Sequence, residues 1–279
     1  MKNKLVYIIL ASLLGLLGCS RKATKIQGTH CDGILFIGEK PDLEGLDPHP
    51  ISEHSEHALL GDSVKLESIP NRIVWLSGAP GAGKGTNEDY IIKYGHLCPS
   101  PLIASSLFNT PEMREKINRG VLLDDATVIA SVFNALQDPI YKDGVVVDGF
   151  PRTQEQVDSI YRLYRVMQEK GYQPSFSIII LTLDEAESVR RQLYRGEQAK
   201  EQNERIRKTG QGVLQEVRQT DLDPEIARQR YQIFMKETFA ALQSLKGKMP
   251  FVTIDAKGSF HDVKERVLSA VKLLKLDEK

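Results

Sequence analysis

A glycine-rich segment constrains the fold of this chain more than any other feature. It reads Gly78-Ala79-Pro80-Gly81-Ala82-Gly83-Lys84-Gly85-Thr86 and directly follows the apolar run Ile73-Val74-Trp75-Leu76. Glycine tolerates positive φ, so such a loop can curl and turn successive backbone N–H groups toward one point. The dipole of the helix expected next, and the charge of Lys84, both attract an anion. The segment therefore predicts a strand–loop–helix unit that binds the polyphosphate of a nucleotide.

The loop departs from the usual Walker spacing at one position. Gly78-x4-Gly83-Lys84 fits the pattern, but Gly85 stands where a hydroxyl residue is expected, and the hydroxyl follows at Thr86. An ordinary glycine-rich loop is the alternative interpretation. The preceding strand and the small residues within the loop favour the phosphate-binding interpretation.

Composition narrows the class of protein. The chain has 279 residues, with 37 basic and 37 acidic side chains and a net charge of +0, so no basic excess indicates a nucleic-acid partner. Hydrophobic residues make up 41%, which is enough for a sizeable core. Cys19, Cys31 and Cys98 form no CxxC metal motif and no disulfide framework. By length, one or two domains are expected.

Strand and helix patterns alternate from about residue 71 onward. Strand-like runs occur at Ile73–Leu76, around Leu102–Ala104, and at Val145–Val147, Phe176–Leu181 and Phe251–Ile254. Helical patterns occur at Thr86–Tyr94, Pro111–Arg119, Asp125–Leu136, Gln154–Lys170, Glu185–Lys208, Pro224–Leu245 and Ser259–Leu274. This alternation predicts an α/β fold of the P-loop NTPase type, with a parallel five-stranded sheet flanked by helices. Ligands of such sheets bind at the carboxyl ends of the strands, where the glycine-rich loop falls.

A second motif follows the strand at Val145–Val147. It reads Asp148-Gly149-Phe150-Pro151-Arg152-Thr153-Gln154-Glu155-Gln156. An acidic residue at a strand's end beside a phosphate loop is suited to holding Mg²⁺ through water. Arg152 offers a planar fork for a phosphate group. The alternative is a turn that carries a surface arginine, and the pairing with the upstream loop disfavours it.

Together the two motifs resemble the adenylate kinase family of nucleoside monophosphate kinases. The family's loop reads Gly-x-Pro-Gly-x-Gly-Lys-Gly-Thr, which accounts for Gly85. The resemblance covers the domain predicted at residues 71–279. It implies Mg²⁺-dependent phosphoryl transfer from ATP to a nucleoside monophosphate, with AMP as the favoured acceptor. We expect a monomer with no nucleic-acid partner.

The resemblance also implies roles for the motif residues. It implies that Lys84 and the loop residues hold the phosphates of ATP, the loop positions being Gly78, Gly81, Ala82, Gly83, Gly85 and Thr86. It further implies that Asp148 positions Mg²⁺ through water, that Arg152 grips the α-phosphate of the acceptor, and that Gln156 reads the acceptor base.

Arginines further along the chain fit the same family pattern. The i,i+4 spacing of Arg191 and Arg195 places them on one helix face. By the resemblance, Arg191 lies over the ATP adenine, Arg195 reaches its phosphates, and Arg218 and Arg230 clamp the transferring phosphoryl group. For each arginine alone, a solvated helix charge is the alternative.

A lid is predicted at about residues 196–217, with Gly210-Gln211-Gly212 as its hinge. The segment contains no cysteine, so no zinc is expected in it.

The acceptor side departs from the family pattern. The family's Ser-Thr-Gly-Asp-Leu-Leu-Arg is matched best by Ile103-Ala104-Ser105-Ser106-Leu107-Phe108-Asn109, and only a short helical segment follows. Ala104 replaces the threonine and Asn109 replaces the phosphate-binding arginine. We expect Arg114 to substitute for the missing charge. Two alternative functions stay open. One is a nucleotide-binding module or sensor without turnover, and the other is a P-loop kinase that phosphorylates another small acceptor.

The first 70 residues lie outside this resemblance. Lys2 and Lys4 precede an apolar run that ends Leu16-Leu17-Gly18-Cys19-Ser20, which resembles a bacterial lipobox and implies a signal peptide at 1–18 and acylation of Cys19. The chain would then be a membrane-anchored lipoprotein. An uncleaved anchor, or a misassigned start with a cytoplasmic location, is the alternative.

Residues 19–70 are interpreted as a linker or a small region of unknown role, with one strand-like run at Gly33–Gly38. A group of histidines, His30, His49, His54 and His57, suggests a metal site. Their spacing matches no standard metal site, which favours solvated linker side chains.

Overall fold

Seven strands form one sheet in the computed structural model, which describes residues 29–31, 34–37 and 64–278. The strands are β1 (Thr29–Cys31), β2 (Ile34–Ile37), β3 (Arg72–Gly78), β4 (Leu102–Ile103), β5 (Val145–Asp148), β6 (Ser175–Thr182) and β7 (Phe251–Asp255). Their order across the sheet is β1-β2-β7-β6-β3-β5-β4, and every neighbouring pair is parallel except β1–β2. The run from β7 to β4 is the predicted five-stranded parallel sheet, which is confirmed.

Helices fill the connections between the strands. They are α1 (Lys84–Gly95), α2 (Pro111–Asn118), α3 (Asp125–Leu136), α4 (Gln154–Glu169), α5 (Glu185–Thr209), α6 (Pro224–Ile233), α7 (Ala240–Gln243) and α8 (Phe260–Leu273). The helix predicted at Pro224–Leu245 is interrupted, because a π-helical segment at Phe234–Phe239 joins α6 to α7. Thr110 caps α2 as its sequence predicts, since its side chain accepts a hydrogen bond from the backbone N–H of Met113.

The sheet extends beyond the predicted strands at the β7 edge. β2 pairs with β7 in parallel, with Leu35 opposite Val252, and β1 pairs antiparallel to β2. β2 coincides with the strand-like run at 33–38 and buries Ile37 in the core. Part of the segment interpreted as a linker therefore belongs to the central sheet.

Several predictions for the N-terminal region fall outside the described residues. They include the signal peptide, the acylated Cys19 and three of the four histidines, since only His30 lies in a described strand. In the described ranges, no helix is long and apolar enough to cross a membrane.

The sheet brings the two motifs to the same edge. β3 and β5 are adjacent, with Leu76 opposite Asp148, so the glycine-rich loop and the second motif leave the sheet side by side. After their first residues, β3 and the adjacent β6 are buried throughout, and Ile178 to Leu181 of β6 show no exposed surface. A rigid apolar layer thus supports the loops that follow the strands.

The predicted lid is built as an extension of a helix. α5 runs without interruption through residues 196–209 and ends at Gly210, which adopts φ of 66°. The chain then returns alongside the helix, where the Asn203 side chain donates to the carbonyl of Gln215 (2.8 Å) and accepts from its N–H (2.7 Å). The helix that carries Arg191 and Arg195 is therefore continuous with this segment.

Candidate active site

Apart from Arg191 on α5, the predicted ATP-binding positions form the end of β3, the following loop and the first turn of α1. Gly81 and Gly83 adopt φ of 77° and 79°, a region that favours glycine. α1 begins after Gly83, and none of the described side chains caps it. The first N–H groups of α1 therefore point into the loop without a side-chain partner, which is the usual arrangement for binding an anion.

A cleft lies above this loop and is surrounded by cations. Its walls include Gly78 and Lys84 from the loop, Gly149 and Arg152 from the second motif, and Arg218, Arg230 and Phe234 from the C-terminal third. Burial, followed by repulsion from Arg195 and Arg218, lowers the pKa of Arg230 to about 9. Burial likewise lowers the pKa of Arg152, against the opposing attraction of Asp148. Cations that repel one another in a shared cleft attract a polyanion strongly.

Lys84 lies at the centre of this charge distribution. Its Nζ donates to the carbonyl oxygen of Gly78 at 3.3 Å. Burial lowers its pKa, the negative charge of Asp148 raises it, and Arg152, Arg230 and others lower it again. The ammonium group thus faces the loop and interacts with the acidic end of β5.

Arg152 and Gln156 are held by a network within the second motif. Arg152 donates from Nε to the carbonyl oxygen of Gly149 (2.8 Å), and its backbone N–H donates to Oε1 of Gln156 (2.8 Å). Nε2 of Gln156 donates to Asp125 at 2.7 Å. Asp125 begins α3 and was not identified from the sequence, because no local pattern links it to a residue 31 positions away.

A second cavity adjoins the first at Arg152. It is lined by Arg152 and Gln156 together with apolar or small residues that include Ala104, Phe108, Val121 and Val128. Gln156 therefore lies in a mostly apolar pocket that Arg152 also lines.

Asp221 organises the arginines of the C-terminal part and was also missed in the sequence. It is 5% exposed and accepts from Nε of Arg195 at 2.8 Å, in a two-bond pair that also uses Nη2. Nη1 of Arg230 lies 3.8 Å from its Oδ1. Its position three residues after Arg218 is the only local signal of this role. One buried carboxylate thus orients two of the predicted catalytic arginines.

Two other predicted residues, Arg191 and Arg114, do not line the cleft. Arg191 packs against the glycine-rich loop. A Cβ added at Gly81 would lie 3.0 Å from the Cβ of Arg191. It donates from Nε to Glu187 (2.6 Å), and the hydrogen bonds of Arg190 and Arg191 lower the pKa of Glu187 to about 2. Arg114 on α2 donates to Oδ1 of Asn109 (2.6 Å) and lies outside the lining of both described cavities.

The close approach of α5 to Asp221 depends on Gly196. A Cβ at this position would lie 2.0 Å from the carbonyl oxygen of Asp221. We expect Gly196→Ala to push the two segments apart and to lower the free energy of unfolding by about 1–3 kcal/mol, despite the better helix propensity of alanine. Urea unfolding measures this, with Lys200→Ala at an exposed site on α5 as the control. Equal stability of wild type and Gly196→Ala would contradict the prediction.

Known proteins of one family match the region that carries this site. An adenylate kinase from Azorhizobium caulinodans is 30% identical over 183 residues, which are 62% of this chain and 86% of that protein. The chain belongs to the adenylate kinase family. Another member, an adenylate kinase from Synechococcus sp. (strain CC9902), is 26% identical over 206 residues, which are 71% of this chain and 97% of that protein. A family model described as an AAA domain matches residues 77–209.

A gluconokinase from Sinorhizobium meliloti 1021 is similar in structure, with a TM-score of 0.43 and 16% identity, and the match covers 75% of this chain and 95% of that one. This likeness is too low to bear on function.

As a member of the adenylate kinase family, the protein is a P-loop kinase that binds a nucleotide. Within the family it is divergent, and its sequence departs from the family pattern in the segment predicted to bind the acceptor. Ala104 and Asn109 are the departures there, and the structure places Asn109 in contact with Arg114.

Proposed function

We propose that the protein transfers the γ-phosphoryl group of ATP to a nucleoside monophosphate, with AMP as the favoured acceptor. The observation that carries this proposal is the convergence of Lys84, Arg152, Arg218 and Arg230 on one cleft above a phosphate loop. Phosphoryl transfer needs positioning and charge stabilisation more than a general base. A set of cations held in place before the substrates bind supplies both.

The donor half of the reaction uses the loop and the end of β5. Lys84 and the N–H groups of the loop bind the β- and γ-phosphates. Asp148 fits a Mg²⁺ site, because its Oδ1 is buried and has no hydrogen-bond partner among the described residues. Mg²⁺, when bound with ATP, neutralises charge on the phosphate oxygens.

The acceptor half uses the second cavity. Arg152 lies at the junction of the two cavities, so its guanidinium can bind an acceptor phosphate that faces the donor. Gln156 lies in the apolar part, where a base can stack against aliphatic and aromatic side chains. The amide of Gln156 retains one N–H and one lone pair for that base, since Asp125 and the N–H of Arg152 use the others.

Two further candidates follow from the altered acceptor segment. Asn109 stands where the family pattern has a phosphate-binding arginine, which favours a nucleotide-binding module or sensor without turnover. It is also compatible with a kinase whose acceptor is another small molecule.

Phosphoryl transfer by the full chain tests the proposal directly. Mg·ATP is incubated separately with AMP, CMP, UMP and GMP, and ADP formation is followed. We expect saturable formation of ADP that is fastest with AMP. Binding of ATP without transfer to any of the four monophosphates would contradict the proposal and favour the sensor.

Arg114 offers a specific test of the acceptor site. If it replaces the missing arginine, with Asn109 holding its guanidinium, Arg114→Ala loses a charge-assisted hydrogen bond of about 1.5–3 kcal/mol. We expect KM for the acceptor to rise by about 10- to 100-fold while KM for ATP is unchanged. Arg119→Ala, which removes an exposed charge just after the same helix, is the matched control. An unchanged acceptor KM in Arg114→Ala would exclude this role.

A further inference from the structure

One carboxylate beside the phosphate loop has no part in the function proposed above. Glu88 lies on α1 one helical turn after Lys84, and only 8% of its surface is exposed. Its Oε2 is enclosed and has no hydrogen-bond partner among the described residues. Burying a carboxylate without a partner is unfavourable, and in native proteins such groups often mark a catalytic or ion-binding position.

The unpartnered oxygen of Asp148 belongs to the same region. α1 packs against β5, and the buried Oδ1 of Asp148 likewise lacks a partner in the described structure. Burial, and then the charges of Asp148 and Asp89, raise the pKa of Glu88 to about 7, against the opposing attraction of Lys84. Lys84 directs its ammonium group at the carbonyl of Gly78. Two carboxylates, each with an enclosed oxygen that has no hydrogen-bond partner in the described structure, thus lie on elements packed against each other, and a divalent cation bound by both would satisfy these oxygens.

We propose that Glu88 and Asp148 together hold the divalent cation that accompanies the nucleoside triphosphate. The inference rests on the proposed function, because the triphosphate must occupy the loop for its cation to lie here. Mg²⁺ in phosphate sites is usually bound by one or two carboxylates, with phosphate oxygens and water completing its octahedron. In the described ranges no group of three or more His, Cys, Asp or Glu residues is suited to a metal, so the nucleotide and water supply the other ligands.

This role predicts opposite effects on metal binding and on stability. Removing the charge of Glu88 weakens the cation site, because one of its two carboxylates is lost. It also removes from the metal-free protein a buried carboxylate whose charged form burial disfavours. A residue that served only to stabilise the fold would show the reverse change in stability. The two readouts together therefore distinguish the roles.

The experiment uses the full chain as wild type, Glu88→Gln, Glu88→Ala and the control Asp89→Asn. Asp89 is the exposed carboxylate next to Glu88 on the same helix, so the control removes the same charge from outside the site. Mn²⁺ is titrated by electron paramagnetic resonance in the presence of a saturating non-hydrolysable ATP analogue. Binding of the analogue without metal and the melting temperature of the metal-free protein are measured in parallel.

We expect the Mn²⁺ affinity of both Glu88 variants to fall by about tenfold or more, with the control within about twofold of wild type. The melting temperature of metal-free Glu88→Ala should rise by about 2–4 °C. Equal Mn²⁺ affinity in wild type and Glu88→Gln, with the analogue still bound, would overturn the role of Glu88 and leave the proposed function standing. A lower melting temperature in both Glu88 variants would also overturn it. Failure of the wild type to bind the analogue would instead contradict the proposed function.

Discussion

Lys84→Ala will lower the rate of phosphoryl transfer by about 10³-fold or more while the fold is retained. Lys84 is the cation that the loop itself supplies, and its Nζ lies 3.3 Å from the carbonyl of Gly78, facing the loop. Charge that develops on the transferring phosphoryl group loses this partner in the variant. The neighbouring arginines cannot replace it, because Arg152 and Arg230 are held by their own hydrogen bonds.

Stability should change little in Lys84→Ala, or should increase. Burial disfavours the charged form of the ammonium group, Asp148 attracts it, and Arg152, Arg230 and Arg195 repel it. Turnover of ATP with AMP and thermal unfolding are measured on the same preparations. Lys93→Ala, at an exposed site on the same helix, is the control for loss of a lysine. Wild-type turnover in Lys84→Ala would contradict the whole assignment of the donor site.

Asp221→Asn is expected to affect stability and activity together. Asp221 is buried and accepts two hydrogen bonds from Arg195, with Arg230 3.8 Å away. An asparagine cannot balance the two guanidinium groups, so they repel each other and the nearby Arg218. Because the Arg195 side chain is 46% exposed, we expect a loss of about 2–3 kcal/mol, less than for a fully buried pair.

The same substitution releases Arg195 from its position. We expect displacement of an arginine with the role predicted for Arg195 to lower the rate by about a hundredfold. Urea unfolding and kcat with ATP and AMP are the measurements. Glu216→Gln is the matched control, since it removes a carboxylate that pairs with Arg218 at 3.7 Å on the surface. That control should change stability by less than about 1 kcal/mol. If Asp221→Asn resembled Glu216→Gln in both measurements, Asp221 would not organise the arginines.

The fold was largely predictable because its signals are local. Apolar runs of strand length, separated by helical patterns, identified the five central strands, and Thr110 and Pro111 identified the start of α2. The π-helical segment at Phe234–Phe239 could not be predicted, since its residues also fit an ordinary helical pattern. β1 was missed, and β2 was identified only as a strand-like run, because a short edge strand depends on its neighbour for pairing.

The cations of the site and Asp148 could also be inferred from the sequence, whereas the other acidic residues, Asp125, Asp221 and Glu88, could not. Glycine spacing and arginine positions are visible in the order of residues. The importance of an acidic residue depends on its burial and on partners that are distant in the chain. Asp221 meets Arg195 across 26 positions, and Asp125 meets Gln156 across 31.

By itself, the sequence determined the parallel α/β architecture, the phosphate loop and the membership of a phosphate-transferring family, because each depends on residues close together in the chain. Only the tertiary structure decided which charges face one another. It placed Asp221 between two arginines, Asn109 against Arg114, and Glu88 in the buried region that interacts with Asp148. Burial and distance set how strongly two charges interact, and both are fixed only when the sheet brings its loops to one edge.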